Sequence, residues 1–138
     1  MPNHHHISVK HQQNQAFNAQ IDHYIVPMDS TDEHSSNHGA SPKKMMLAAL
    51  AGCTGIDVVS ILNKMKVEFT DFSIDVDAQL TEEHPVIYDK VSIIYSIRVE
   101  EQDRAKMEKA VSLSKDKYCG VSAMFSHFAK VDFKIEFL

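Results

Sequence analysis

Hydrophobic and polar positions repeat with different periods along the chain, and each period predicts one kind of element. Near the N-terminus, the short alternating stretches "HISVK" and "AFNAQIDHYIVP" predict strands of a hairpin or meander. Residues 28–41, "MDSTDEHSSNHGAS", carry no apolar period and predict a polar loop. We therefore expect a small group of strands followed by a loop.

The run from Ser41 to Lys66, "SPKKMMLAALAGCTGIDVVSILNKMK", is apolar on nearly every side. Ser41 is a good N-cap residue, and Pro42 falls at the first helical position, where its missing N–H costs nothing. A helix without a polar face is typical of a buried central position. Because the strands of one chain could cover only one side of this helix, we expect a second copy to cover the rest in an intimate dimer.

The second half of the chain alternates between strand and helix periods. The stretches "EFTDFSIDVDAQLT" and "PVIYDKVSIIYSIRVE" predict two long strands. They are followed by an amphipathic helix, "EQDRAKMEKAVSLSKDKY", with Asp103 as its cap, then by a short helix, "GVSAMFSHFA", and a closing strand, "KVDFKIEFL". No linker interrupts the pattern, so residues 1–138 are expected to form one α+β domain.

Composition narrows the function classes. The 138 residues carry a net charge of −5 with no basic cluster, which argues against a nucleic-acid partner. No apolar run approaches the roughly 20 residues of a membrane span, and the N-terminus is too polar for a secretory signal. We therefore expect a cytoplasmic protein with no membrane partner, and we exclude the "HHH" at residues 4–6 from any site.

Cys53 lies between two glycines, Gly52 and Gly55, inside the apolar helix. Glycine is unfavourable in a helix interior by roughly 1 kcal/mol relative to alanine, so close helix packing or the approach of a substrate must account for the pair. The simplest alternative is a small buried side chain with an inert thiol. Asp57, one turn further on, needs a partner if it is buried. Either a cation lies between Asp57 and Cys53, or Asp57 has a structural hydrogen-bonding role, which we favour.

Cys119 lies at the start of the predicted short helix, after Lys115 and Lys117. A helix N-terminus and nearby lysines both lower a thiol's pKa, so spacing alone favours Cys119 as the more reactive thiolate. A cysteine that occurs at a turn by chance is the alternative.

Other candidate sites are weaker. His34 and His38 have a metal-like spacing, but "HSSNHG" offers no third ligand of the three or four that a metal site needs. There is also no glycine-rich phosphate loop. The sequence therefore predicts no metal and no cofactor.

Two segments resemble a known family. "SPKKMMLAALAGCTGIDVVSIL" and the later "AVSLSKDKYCGVSAMF" are similar to the two cysteine segments of the OsmC/Ohr family of osmotically inducible and organic-hydroperoxide-resistance proteins. Between them, "HPVIYDKVSIIYSI" is similar to the proline-containing hairpin of that family. The resemblance spans nearly the whole chain and is strongest to the OsmC-like branch.

The resemblance implies both a fold and a chemistry. The implied fold has antiparallel sheets around a long central helix in an intertwined, swapped homodimer. The implied chemistry is a thiol-dependent peroxidase in which the Cys53 thiolate attacks an organic hydroperoxide and Cys119, lying close by, resolves the sulfenic acid to a disulfide. An external dithiol would then reduce the disulfide, and the glycines would open space for the hydroperoxide.

The sequence departs from the hydroperoxidase pattern at the residues that activate the thiol. Lys43 follows Pro42 where that branch has a glutamate, and residues 1–97 contain no arginine to pair with it. Lys43, Lys44 or His38 could supply a cation instead. The alternative to the peroxidase is a non-catalytic OsmC-like dimer that binds a small apolar ligand near Cys53.

Overall fold

The computed structural model describes residues 3–138, which fall into two compact units divided after Met46. The first unit contains an antiparallel three-stranded sheet in the order β1-β2-β3, built from Ser8–His11, Phe17–Ile21 and Tyr24–Met28. The predicted N-terminal hairpin is therefore confirmed, and it continues as a meander.

The loop that follows β3 is organised around a buried carboxylate. Asp29 is 1% exposed and accepts hydrogen bonds from the backbone N–H groups of Ser30, Ser36 and His38 at 2.7 to 3.1 Å. Gly39 approaches β3 so closely that a Cβ there would lie 2.3 Å from the carbonyl carbon of Pro27. The polar loop predicted from the sequence is thus an ordered one.

Helix α1 spans Pro42–Lys64 and begins as predicted, with the Ser41 hydroxyl accepting the Lys44 N–H at 3.4 Å. One face is buried, and its residues follow at intervals of four: Leu50, Thr54, Val58 and Leu62. Within a single chain the opposite face is open, and Ile56 on that face is 73% exposed. One chain therefore covers one side of this helix, as the sequence led us to expect.

Helix α1 is also long and apolar enough to cross a membrane, with a mean hydropathy of 1.9. The expectation that no apolar run approaches the length of a membrane span is therefore wrong. The helix is long enough, and its single acidic residue, Asp57, hardly lowers its mean hydropathy. A core helix passes the same test. Leu50, Val58 and Leu62 belong to the hydrophobic core of the second unit.

The second sheet is mixed, which corrects the expectation of purely antiparallel sheets. Its order is β4-β5-β6, from Phe69–Leu80, Tyr88–Val99 and Lys130–Phe137. Strands β4 and β5 are antiparallel, but β5 and β6 are parallel. Two parallel strands begin at the same end of a sheet. The helices between β5 and β6 therefore return the chain to the end at which β5 begins.

A helical segment connects β5 to β6. It consists of a 3-10 turn at Glu101–Asp103, helix α2 at Arg104–Leu113, a π-helical turn at Ser114–Tyr118 and helix α3 at Gly120–Ser126. Asp103 occupies the N-cap position of α2, as predicted, but its side chain makes no capping hydrogen bond and lies 3.7 Å from Lys106. The core of the second unit lies between these helices, α1 and the inward-facing side of β5.

Candidate functional site

Helix α1 contributes three side chains to one polar cluster. Cys53 and Asp57 lie on one flank of the helix because they are four residues apart, and Thr54 belongs to the buried face. Cys53 and Asp57 are partly exposed, whereas Thr54 is buried.

Cys119 enters the cluster from the break between α2 and α3. The π-helical turn ends at Cys119, whose N–H donates to the Ser114 carbonyl at 2.8 Å. Cys119 then leaves the helical conformation and caps α3, with its Sγ accepting the Ser122 N–H at 3.3 Å. The cap fixes the position of the sulfur, and the residue Cys119 is 3% exposed.

The two cysteines and Asp57 converge. The Sγ atoms of Cys53 and Cys119 and a carboxylate oxygen of Asp57 all lie within 4.8 Å of one another, and both thiols are free. The expected closeness of the two sulfurs, far apart in sequence, is therefore confirmed. This convergence makes the cluster the candidate functional site.

A chain of hydroxyl groups leads from this cluster into the core. The Ser114 hydroxyl donates to Asp57 Oδ2 at 3.2 Å and contacts Thr54 Oγ1 at 2.8 Å, which in turn contacts Tyr95 Oη at 2.7 Å. An ionised carboxylate can only accept, so the Ser114 hydroxyl donates to Asp57. It follows that the Thr54 hydroxyl donates to Ser114 and the Tyr95 hydroxyl donates to Thr54. The structural role expected for Asp57 is thus observed. No sequence motif marked the three hydroxyl residues.

The environment of Cys119 keeps its thiol protonated. Burial raises the pKa of Cys119 to about 11; the Ser122 N–H opposes this rise, and Cys53 and Asp57 add to it. The preference for Cys119 as the reactive thiolate, based on spacing alone, is therefore wrong. Burial and a neighbouring acid outweigh the helix N-terminus and the lysines. Lys115 lies over the ring of Phe133, and Lys117 lies over that of Tyr118.

Two of the cavities formed by the described residues lie beside α1; the glycines line the first, and no cysteine lines either one. Gly52 and Gly55 line an open groove of about 700 Å³ beside β4, where a Cβ on Gly55 would lie 3.0 Å from Ile74 Cδ1 and one on Gly52 would meet nothing within 4 Å. Neither cysteine lines this groove. The space that the glycines leave therefore opens away from the sulfur.

The second cavity, of about 420 Å³, lies beside Asp57. Its other lining residues are Ser60, Ile61, Lys64, Met65, Leu113 and Tyr118. On α1, Ser60 and Lys64 follow Cys53 at helical intervals of seven and eleven, so this cavity runs along the cysteine's flank of the helix. It combines apolar walls with one acidic and one basic side chain.

The cations considered from the sequence have the following places in the structure. Lys43 and Lys44 occupy the first turn of α1, roughly 15 Å from Cys53 along the axis at about 1.5 Å per residue. The ring of His38 contacts the side chain of Asn18. Of the two arginines, Arg98 pairs with the exposed Asp71 at 3.1 Å.

His34 and His38 do not form a metal site within the described residues. His34 lies 3.6 Å from the exposed Glu33 carboxylate, and His38 contacts Asn18 as described above. Among residues 3–138, the grouping of three side chains with metal-binding atoms is that of Cys53, Asp57 and Cys119.

Known proteins share both the sequence pattern and the fold. The family model for OsmC-like proteins matches residues 34–134. Protein YhfA of Escherichia coli strain K12 is 30% identical over 105 residues, covering 76% of this chain and 78% of YhfA.

Solved structures give the same assignment of the fold. A hypothetical protein from Aquifex aeolicus VF5 matches with a TM-score of 0.79 and 26% identity, covering 96% of both chains. The OsmC-like protein from Mycoplasma pneumoniae matches with a TM-score of 0.83 and 12% identity, covering 100% of this chain and 99% of that one. The organic hydroperoxide resistance protein OhrB of Bacillus subtilis matches with a TM-score of 0.60 and 14% identity, covering 96% of both. The α+β fold expected from the sequence is confirmed, and the chain belongs to the OsmC-like protein family of the OsmC/Ohr group.

Proposed function

We propose that this protein is a thiol-dependent peroxidase that reduces organic hydroperoxides and serves in oxidative stress defence. The observation that carries the proposal is the convergence of the Cys53 and Cys119 sulfurs within 4.8 Å. Two thiols at this separation need only a small movement to form a disulfide with its S–S bond of about 2.05 Å. The fold shared with proteins named for organic hydroperoxide resistance adds support.

The reaction takes two steps. The Cys53 thiolate attacks the outer oxygen of the O–O bond, the alcohol leaves with a proton, and Cys53 becomes a sulfenic acid. Cys119 then attacks the Cys53 sulfur, the S–O bond breaks, and water leaves as the disulfide forms. An external dithiol returns two electrons and two protons to restore both thiols.

The surroundings of the two cysteines support these roles. Cys53 is partly exposed and can meet a substrate, whereas Cys119 is buried and its pKa is raised to about 11. A thiol that stays protonated at neutral pH is a poor first nucleophile. Cys119 therefore acts second, on a sulfenic acid formed within its reach.

The cavity beside Asp57 suits an organic hydroperoxide. Ile61, Met65 and Leu113 provide apolar contacts for the organic group, and the cavity runs along the flank of α1 that carries Cys53. Neither sulfur lines the cavity, but Asp57 does, and its carboxylate lies within 4.8 Å of both sulfurs.

We also propose that the protein works as a homodimer in the cytoplasm. The support is the open face of α1, where Ile56 is 73% exposed and Gly52 has free space for a close approach. A second copy would bury this face. The net charge of −5 supports neither a nucleic-acid nor an anionic membrane partner.

Serine variants of the two cysteines test the peroxidase. Cys53→Ser abolishes the consumption of an organic hydroperoxide by protein and dithiol, because serine supplies no thiolate. Cys119→Ser still allows one oxidation of Cys53 but stops turnover or lets Cys53 proceed to the sulfinic acid. Exposed Ser112 on α2 gives a matched control, Ser112→Ala, with full activity. Unchanged turnover in Cys53→Ser would overturn the proposal.

The second candidate function is a binding protein that does not react. The cavity lined by Ile61, Met65, Leu113 and Tyr118 favours it, because the same walls could hold a small apolar ligand beside intact thiols. Titration of free thiols before and after one equivalent of hydroperoxide distinguishes the two functions. Loss of both thiols supports the peroxidase, and unchanged thiols support the binding protein.

A further inference from the structure

We infer that Cys53, Asp57 and Cys119 form a binding site for a thiophilic divalent cation of the Zn²⁺ class. This site uses the same thiols as the proposed peroxidase, so bound metal and peroxide compete for them. The metal binding itself does not depend on the peroxidase reaction, but its role as a regulator rests on the proposed function.

The donor atoms have the spacing that such a cation needs. In a tetrahedral zinc site with Zn–S bonds of about 2.3 Å, two sulfurs lie roughly 3.8 Å apart. The two Sγ atoms and the Asp57 oxygen lie within 4.8 Å of one another, so a shift of about 1 Å or less brings them onto one ion. Three protein ligands leave a fourth position for water.

Two of the three ligands are already oriented by hydrogen bonds. The Ser122 N–H donates to Cys119 Sγ at 3.3 Å, and the Ser114 hydroxyl donates to Asp57 Oδ2 at 3.2 Å. Partners of this kind hold metal ligands in place and usually change affinity 10- to 100-fold when removed. Asp57 keeps free lone pairs for a cation, because a carboxylate can accept about four hydrogen bonds.

The chemistry of the donors selects the class of cation. Thiolates favour Zn²⁺, Cd²⁺ and similar soft or borderline ions, whereas Mg²⁺ and Ca²⁺ require oxygen ligands. Each thiol loses its proton on coordination, so one cation displaces two protons. Two thiolates and a carboxylate then carry three negative charges, and the cation carries two positive charges. The Ser122 N–H and the Ser114 hydroxyl, which donate to Cys119 and Asp57, stabilise the remaining negative charge.

The experiment titrates Cd²⁺ into the reduced full-length protein in a thiol-free phosphine reductant. The readout is the near-ultraviolet charge-transfer absorption of a thiolate bound to the metal. Histidine gives no such band, so the surface histidines, including those at positions 4–6, do not interfere. The expected result is a band that saturates at one Cd²⁺ per chain and is displaced by Zn²⁺.

Variants then assign the ligands. Cys53→Ser and Cys119→Ser each weaken the band and lower the affinity at least tenfold, and Asp57→Asn lowers the affinity at least tenfold with both thiols present. Ser114→Ala lowers it 10- to 100-fold. Asp77→Asn, an equal charge change on an exposed position of β4, leaves it unchanged. Absence of the band in the native chain, or equal affinity in Asp57→Asn, would overturn the inference.

The regulatory step has its own readout. Native protein loaded with one Zn²⁺ should keep both thiols when hydroperoxide is added, and a chelator should make them oxidisable again. If the metal-free protein resists hydroperoxide while the Cd²⁺ band still forms, the peroxidase fails and the metal site stands. If zinc-loaded thiols are oxidised as fast as metal-free ones, the regulatory role is wrong.

Discussion

At the residue scale, the two thiols lie within 4.8 Å of each other but in different surroundings. Cys53 is partly open to solvent on α1, whereas Cys119 is 3% exposed and its Sγ accepts the Ser122 N–H. In the proposed peroxidase reaction this asymmetry supports Cys53 as the first nucleophile, because the attacking thiol must meet the peroxide and Cys119 stays protonated.

The first prediction concerns alkylation of Cys119. Since burial raises the pKa of Cys119 to about 11, the thiol stays protonated below that pH and reacts slowly with iodoacetamide. Its reaction rate should rise steadily from pH 8 towards pH 11, the range in which the thiolate fraction grows. Peptide mapping by mass spectrometry of the reduced native chain measures Cys53 and Cys119 separately. A rate for Cys119 that has reached its maximum by pH 8 would contradict the assignment.

The second prediction concerns the hydroxyl chain. Thr54 is 1% exposed and joins Tyr95 to Ser114. Thr54→Val keeps the shape but leaves two buried hydroxyl groups each short of a partner, so the free energy of unfolding should fall by about 1–3 kcal/mol. Chemical denaturation measures it. Thr70→Val, at an exposed threonine of β4, is the control and should change stability by less than about 0.5 kcal/mol.

Only some residues of the candidate site could be identified from the sequence. Cys53, Cys119 and Asp57 stand out in the sequence because thiols are few and an acid is unexpected on an apolar helix. Ser114, Thr54 and Tyr95 do not stand out, because hydroxyl residues are common and their bonds join segments far apart in the chain. The raised pKa of Cys119 could not be predicted either, because the sequence does not show that this side chain is buried.

At the element scale, buried Asp29 organises the loop after β3 together with exposed Asp32, which accepts the Ser30 hydroxyl at 3.1 Å and the His34 N–H at 2.9 Å. Burial alone would raise the pKa of Asp29, but the N–H groups of His38, Ser36 and Ser30 outweigh it and lower that pKa below its ordinary value of 3.8. Because the pKa is lower in the folded state, this carboxylate stabilises the loop above about pH 4. The stabilisation is lost as the pH falls through the lowered value.

The third prediction follows from that carboxylate. In the native chain, the amide NMR signals of Ser36 and His38 should move together below pH 4 as Asp29 takes up its proton. Asp29→Ala removes all three acceptor bonds and should lower the free energy of unfolding by about 1–3 kcal/mol at pH 7. Asp32→Ala, at an exposed aspartate of the same loop, is the matched control and should cost less. Equal losses for the two variants would contradict a special role for Asp29.

The helices show where local signals suffice. Helix α1 begins at Pro42 behind the Ser41 cap, as its sequence predicts, because a cap is a local interaction. The break after α2 is different. There a π-helical turn follows α2, and Cys119 after it caps α3. The sequence "SLSKDKYCG" contains no clear signal for the π-helical turn or for a cysteine side chain as the cap.

At the scale of the whole molecule, the open face of α1 supports the proposed homodimer. The fourth prediction is that the protein has about twice the 15.6 kDa chain mass at micromolar concentration, as measured by light scattering or sedimentation. Ile56→Glu should yield a folded monomer, because it places a charge where Ile56 is 73% exposed in one chain and buried in the proposed dimer.

A matched substitution tests whether the face is specific. Met124 on α3 is 61% exposed, and Met124→Glu should leave the dimer intact. Gly52→Ala adds a further test. A Cβ at Gly52 meets nothing within 4 Å in one chain, so this variant should fold normally and weaken only the dimer. A native chain that is a folded monomer would contradict the proposed assembly.

The sequence by itself determined the strands, the helices and the α+β class, because periodicity and caps depend on neighbours a few residues apart. It also identified both cysteines and, through their two segments, the family. Only the tertiary structure decided that β6 runs parallel to β5, that Cys119 is buried and protonated, and that Asp57 faces both sulfurs. Those features depend on contacts between distant segments and on exclusion of water, and both arise only when the chain has folded.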